Sequence, residues 1–329
     1  MYWFSIKLKK YMDNKIVFII NKSEITAGTR GASLGPEAIK VAARKIGSDL
    51  FEKHSSCNVK NVNELLDVPT VYPFAKRIDG LLSVYKELNT DISKILNKGE
   101  FPIVLAADHG SAGGTISGIK SAFPDKRIGV VWIDAHADIH TPYTTPSGNM
   151  HGMPLASVMN IDNLECKKND VDAITVKLWE ELKGVGVTNK KVNSEDLVYI
   201  GVRDVEKQEV AVIEQLGIKW FKVEDVREYG VNAIVNSVNE QLKECDLIYV
   251  SFDVDSMDPD LTSYGTGTPV KNGITPNEAK ELLIEFSKNK KTACIEIVEV
   301  NPCLDEKKNK MAEVTLEIVE EIVEIIKKR

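Results

Sequence analysis

The 329-residue sequence has five cysteines, Cys57, Cys166, Cys245, Cys294 and Cys303, and none of them form a CxxC pair. A dispersed, odd set of this kind excludes a disulfide frame or a cysteine zinc cluster and reads as reduced thiols. No window approaches the ~18 apolar residues that a membrane span requires. No cluster of Lys and Arg with interleaved aromatics occurs, and the net charge is −7, so neither a membrane nor a nucleic acid is an expected partner. Internal repeats and low-complexity runs are missing. The opening residues 1–14 lack a continuous apolar core and a small-residue cleavage site, so they read as a leader outside the fold and not as a secretory signal. The expected location is cytoplasmic, with residues 15–329 forming one catalytic domain.

An apolar content of 43% and a charged content of 28% are ordinary for a globular chain. Apolar runs at 15–20, 101–106, 128–133, 197–200, 218–221, 246–252 and 293–298 alternate with helical patterns at 36–54, 76–98, 230–243, 276–288 and 311–328. Another helix is expected to start at 151–154, while 162–194 holds no readable motif. Strand–helix alternation predicts an α/β fold with a mainly parallel sheet and helices on both faces. The C-terminal strand ends then lie along one edge, where such sheets bind ligands. Asp108-His109, Asp134 to Asp138, Asp204 to Glu206, Asp253-Asp255 and Glu299 all fall at those ends. The glycines of 28–35 fit no phosphate-loop spacing and read as a loop near the site.

The run IGVVWI at 128–133 stops at Asp134-Ala-His136-Ala-Asp138. In extended backbone, alternate side chains point the same way, so two carboxylates and an imidazole would converge. Their charge needs a partner, and a divalent cation is the natural one. Four of the five histidines, His109, His136, His140 and His151, lie between 109 and 151. With Asp253 and Asp255 added, two imidazoles and four carboxylates suit two cations. Oxygen-rich ligation favours Mn²⁺, and such a pair lowers the pKa of a bridging water.

The motifs AADHGS, DAHADIH with SGNMHGMP, SFDVDSMDP, TGTPV and EVNP, in that order, resemble the ureohydrolase superfamily, and its arginase branch in particular. The resemblance runs from about residue 23 to the final helix. It implies that His109, Asp134, His136, Asp138, Asp253 and Asp255 ligate two Mn²⁺ ions, with Asp138 also in the catalytic set. It implies further that His151 moves protons, that Glu299 holds the substrate guanidinium with Thr268 nearby, and that Ser147 and Asn149 receive the amino-acid end. The implied reaction is hydrolysis of L-arginine to L-ornithine and urea by a homo-oligomer, trimer or hexamer.

Several positions depart from the arginase pattern. Ala106-Ala107 replaces Gly-Gly, Gly110 precedes Ser111, and Tyr264-Gly265 lengthens a loop by one residue. His140 stands where arginases usually carry an asparagine that contacts the substrate carboxylate, and Glu206 replaces an aspartate that binds the α-amino group. These differences are expected to lie near the substrate's tail, with His140 able to pair, protonated, with a carboxylate. The alternatives are agmatine or a guanidino acid as substrate and, in another class, a metal-binding regulatory relative without turnover. His151 as a helix cap and Glu299 as a structural acceptor are the bland readings of those two residues.

Overall fold

The computed structural model describes residues 15–187 and 190–329, so the expected leader at 1–14 lies outside the described residues. The elements run β1 (Ile16–Asn21), α1 (Gly35–Ile46), α2 (Leu50–Lys53), β2 (Ser55–Asn58), α3 (Ile78–Asn97), β3 (Phe101–Ala106), α4 (Ala112–Ala122) and β4 (Ile128–Ile133). They continue with α5 (Pro154–Met159), α6 (Ala173–Lys183), β5 (Leu197–Ile200), α7 (Lys207–Leu216), β6 (Lys219–Phe221), α8 (Val223–Tyr229) and α9 (Val231–Gln241). The last are β7 (Leu247–Asp253), α10 (Pro276–Lys288), β8 (Thr292–Val298) and α11 (Lys310–Lys327). None of these helices is long and apolar enough to cross a membrane.

All eight strands pair in parallel, in the order β2-β1-β3-β8-β7-β4-β5-β6. Strands buried on both faces need apolar residues at every position, which is why β1, β3 and β4 are continuous apolar runs. Alternate residues feed two cores. Phe18, Ile103, Val131, Ile133, Val250 and Phe252 pack with α1, α9, α10 and α11. Ile19, Val104, Val130 and Trp132 pack with α3 and α4. Burying each such large side chain contributes ~1.5–3 kcal/mol.

Two local signals stand out. Thr275 caps α10 by accepting the Glu278 N–H (3.1 Å), while Glu278 accepts the Thr275 N–H (2.7 Å) and Pro276 occupies the first turn, a reciprocal start signal. The helix α4, which starts just after His109, lies so close to α3 that a Cβ on Gly113 would fall 2.1 Å from Tyr85 Oη.

Three expectations need correcting. The helix opened near Pro36 ends at Ile46 with Gly47 left-handed (φ 70°), and a short α2 and the edge strand β2 follow. That strand, SSCN, is mostly exposed, so no apolar pattern announced it. The unread segment 162–194 contains α6, capped by Asp172 through the Ile174 and Thr175 N–H groups.

Candidate active site and metal centre

The four central strands, β3, β8, β7 and β4, are neighbours in the sheet, so their C-terminal ends deliver His109, Glu299, Asp253 with Asp255, and Asp134 to Asp138 to one place. The ligand run after β4 is not extended, contrary to expectation. The backbone bends, and Asp138 adopts a left-handed φ of 49°. Bending, not strand alternation, makes the side chains converge. Glu299 is also left-handed, at φ 68°. Non-glycine residues hold that conformation at a cost of about 1–3 kcal/mol, and such strain clusters at functional sites.

Two trios of ligand atoms share Asp134: His109–Asp134–Asp253 and Asp134–His136–Asp255. His109 Nδ1 lies 2.9 Å from Asp134 Oδ2, 3.2 Å from Asp138 Oδ2 and 3.3 Å from Asp253 Oδ2. His136 Nδ1 lies 3.5 Å from Asp134 Oδ1 and 3.1 Å from Asp255 Oδ2. All six expected ligands therefore meet, and the two oxygens of Asp134 face different imidazoles.

A pair of cations fits this donor set. His109 Nδ1 is buried and has no hydrogen-bond partner, despite three carboxylates within 3.3 Å. Burial opposes a charge on this ring, yet the three carboxylates outweigh it and pull its pKa well above the usual histidine value. Burial first, then Asp255 and Asp134, pushes the Asp253 carboxyl well above its usual range. Asp138 and Asp255 are raised as well, burial being the largest cause in each. Burial acts the same way on Asp134, but His109 and His136 outweigh it and hold that carboxyl below its usual range. Crowded, buried carboxylates kept from ionising are what a divalent ion would relieve.

Sequence reasoning missed the residues that fix these ligands. Ser251 Oγ sits 2.7 Å from His109 Nε2, which leaves Nδ1 for ligation. The Trp132 ring stacks on His109 at 4.0 Å, and its Nε1–H donates to Asp134 Oδ2 (2.9 Å). Both residues lie two positions before a ligand in their strands, and period two was the available signal. Arg203 donates to five carbonyls, those of Gly201, Asp255, Ser256, Val270 and Lys271, at 2.6–3.1 Å. Its N–H and that of Asp204 both reach Ala135 O, tying three loops around Asp255.

Beside the metal floor, Glu299 Oε1 accepts the His109 backbone N–H (3.0 Å) and lies 3.5 Å from His151 Nδ1. Glu299 is therefore a structural acceptor, and its approach to His151, which lines the cavity, sets it just beneath that lining. His151 lies in a turn at 150–152, and the residue preceding α5 is Met153, so His151 is not a helix cap. Its imidazole is pulled up in pKa against an opposing burial, by Glu299 chiefly. Asp108, buried under this pair, is pushed to about 7 by burial and then by Glu299.

A cavity of about 160 Å³ opens above the floor, lined by His109, His136, Asp138, His151 and Asp253 and, outward, by His140, Thr145, Ser147, Asn149, Asp204, Glu206, Glu209 and Thr268. Thr268 donates to Asp255 Oδ2 (3.0 Å), and a Cβ on Gly267 would lie 3.6 Å from Glu299 Oε2, so this turn does reach Glu299. Ser147 Oγ accepts the Asn149 N–H (3.1 Å). His140 is placed differently from expectation. Its Nε2 points at Glu209 (3.6 Å) and Glu206 (3.7 Å), and burial pushes its pKa down to about 4. Its ring faces acids of the chain itself, and burial opposes the charge that a substrate carboxylate would need. Glu209, unnamed by sequence reasoning, also accepts the Glu206 N–H at the start of α7 (3.1 Å), and burial raises it to about 7. Ala106, Ala107 and Gly110 sit with His109, and a Cβ on Gly110 would strike Thr26 Oγ1, so these departures belong to the floor and not to the tail.

The Arginase family model matches residues 14–324. Human arginase-1 is 34% identical over 280 residues, 83% of this chain and 81% of its own. The arginase of Bacillus subtilis is 30% identical over 321 residues, 95% and 98% of the two chains. The crystal structure of Entamoeba histolytica arginase in complex with L-ornithine superposes with a TM-score of 0.80 at 26% identity, covering 95% of this chain and 99% of that one. With the family model spanning nearly the whole length and relatives of 30% identity or more covering over two thirds of it, this chain belongs to the arginase family.

Proposed function

We propose that this hydrolase of linear amidine C–N bonds converts L-arginine and water to L-ornithine and urea, using two Mn²⁺ ions held by His109, Asp134, His136, Asp138, Asp253 and Asp255. The observation that carries the reading is the pair of trios sharing Asp134 beneath Glu299 and His151. When bound, the cations supply an activated water and stabilise charge developing at the guanidinium carbon. Glu299 presents a carboxylate to the planar guanidinium, a charge-assisted and orienting contact. Its left-handed backbone, fixed by the bond from His109, keeps that carboxylate aimed inward. His151, 3.5 Å from Glu299, delivers a proton to the departing amine from its imidazole. Asp204, Glu206 and Glu209 give the outer cavity an acidic wall, suited to an α-ammonium, while Ser147 and Asn149 offer neutral donors to a carboxylate.

Urea release from a panel of guanidines, measured with added Mn²⁺ and after chelation, tests this. L-Arginine should lead agmatine by about tenfold or more in kcat/KM, and chelated protein should be inactive until Mn²⁺ returns. One observation favours a second reading, agmatine as substrate: His140 stands with the acidic wall and leaves the carboxylate end without its expected partner. Equal or better turnover of agmatine would establish it. We propose further that residues 15–329 form one catalytic domain of a cytoplasmic protein and that the chain assembles as a trimer or hexamer; light scattering of the purified chain checks the assembly.

A further inference from the structure

We propose that Lys76, one side chain behind the cavity wall, is the cation that orients Asn149 toward the substrate's α-carboxylate and adds its charge there, a positioning residue for substrate choice. The proposal rests on the arginine reading above and supplies the partner that His140 does not. Lys76 lies just before α3, in a segment seated directly on the Ser147–Asn149 turn. Its N–H donates to Gly148 O at 2.8 Å. Gly148 takes φ 74°, and a Cβ there would fall 1.9 Å from Pro73 O. Backbone therefore meets backbone, and the lysine is held at a set place.

The Lys76 ammonium reaches Asn149 Oδ1 at 3.2 Å in a part-buried position. Among the described residues it has no carboxylate partner. An ammonium carries three donors, and one neutral amide oxygen satisfies only one of them. Asn149 and Ser147 line the cavity, so the charge stands one side chain behind the groups that would meet an amino-acid tail. The acidic residues come from a different segment, 204–209, and His140 lies against that segment. The surroundings of the cavity are thus electrically divided, with carboxylates on the 204–209 side and the Lys76 ammonium behind the Ser147–Asn149 side. A zwitterionic tail answers both; a bare amine tail answers only the first.

The test compares L-ornithine with putrescine, which lacks only the carboxylate, as competitive inhibitors of urea release by the Mn²⁺-loaded full chain. In Lys76→Met the ratio of their inhibition constants should shift against ornithine by roughly ten- to a hundredfold. Lys76→Arg, which keeps the charge, should recover most of the preference. Lys76→Gln serves should the methionine variant not fold, with the same shift expected. A ratio unchanged in Met or Gln, or the same loss in Arg as in Met, overturns the role of Lys76 while leaving arginine turnover by the wild type intact. Wild-type protein that releases no urea from L-arginine overturns the arginine reading, and this proposal with it.

Discussion

The floor of the cavity and its rim are built by different means. At the floor, His109, Asp134, Asp253 and Asp255 are at most 3% exposed, and each is held by the backbone of a neighbouring ligand or by a strand residue. His136 N–H donates to Asp134 Oδ1, Asp255 N–H to Asp253 Oδ1 and Ala135 N–H to Asp255 Oδ1, at 2.7–3.2 Å. At the rim, Glu206 is 44% exposed at its side chain, Ser147 is exposed, and the contacts join loops far apart in sequence. The floor leaves its groups little freedom, so substitutions there should act almost all-or-none. The rim, with fewer constraints per side chain, should grade affinity and choice of substrate.

The largest effect should follow loss of a floor carboxylate. Asp255→Ala removes one ligand of the second trio, and turnover should fall below detection with one metal lost per chain. Relief of crowding among like charges offsets the loss of the bonds from Ala135 and Thr268, so the chelated variant should still unfold cooperatively, near chelated wild type. Full activity after metal stripping, or an unfolded variant, breaks the contrast with the rim. Next in size is His151→Asn, where loss of a general acid should slow kcat by ~10²–10⁴ with metal content unchanged by elemental analysis. An unaltered kcat would leave His151 no part in proton transfer.

The same division explains what could be read from sequence. Strand ends are announced by apolar runs that stop at charged residues, so the inner strands, their shared edge and the acids and histidines gathered there were legible from 101–138 and 246–299, whereas β2 was not. The bend at Asp138 and the left-handed Glu299 were not, because aspartate's preference for positive φ is too weak to mark one position and glutamate has none. Ser251 and Trp132 look like ordinary strand residues until β7 and β4 are paired. Lys76 and Glu209 were invisible for another reason: their partners are 73 and 69–70 residues away, and no local pattern encodes a contact between loops. His140 lines the cavity as expected, but the acids it faces, Glu206 and Glu209, became visible only once α7 was placed against it.

A smaller effect sharpens the boundary between the two regions. Arg203 joins rim loops to the floor, through five carbonyls on three segments. Arg203→Lys keeps the charge but offers three donors, so two or more carbonyls lose a partner at ~1 kcal/mol each. The second trio should bind its ion more weakly by about ten- to thirtyfold, while the trio of His109, Asp134 and Asp253 keeps its affinity. Stepwise Mn²⁺ titration followed by electron paramagnetic resonance separates the two. Equal weakening at both would make Arg203 a support for the whole fold and not a positioning residue.

The smallest effect concerns His140. With the imidazole neutral, His140→Asn exchanges one uncharged group for another, so kcat/KM for L-arginine should change less than about tenfold. Its signature is instead in stability against pH. Burial holds the folded pKa near 4, below the ~6.5 of an exposed histidine. Between those values the unfolded chain binds a proton there that the native protein does not, so the wild type loses stability as pH falls from 6.5 to 4. Glu209 works in the opposite direction. Its folded pKa near 7 exceeds the usual glutamate value, so its contribution is present at low pH and is lost as pH rises through 7. That contribution is common to both proteins and drops out of their difference, provided asparagine leaves Glu209 as buried as before. Melting chelated wild type and His140→Asn side by side should therefore show the variant gaining on the wild type as pH falls from 6.5 to 4, by an amount on the order of 3 kcal/mol. A difference that is flat, or that favours the wild type in acid, would mean that His140 is protonated in the native protein. It would then be paired as a cation with Glu206 and Glu209, and the acidic wall would be partly neutralised before any substrate arrives.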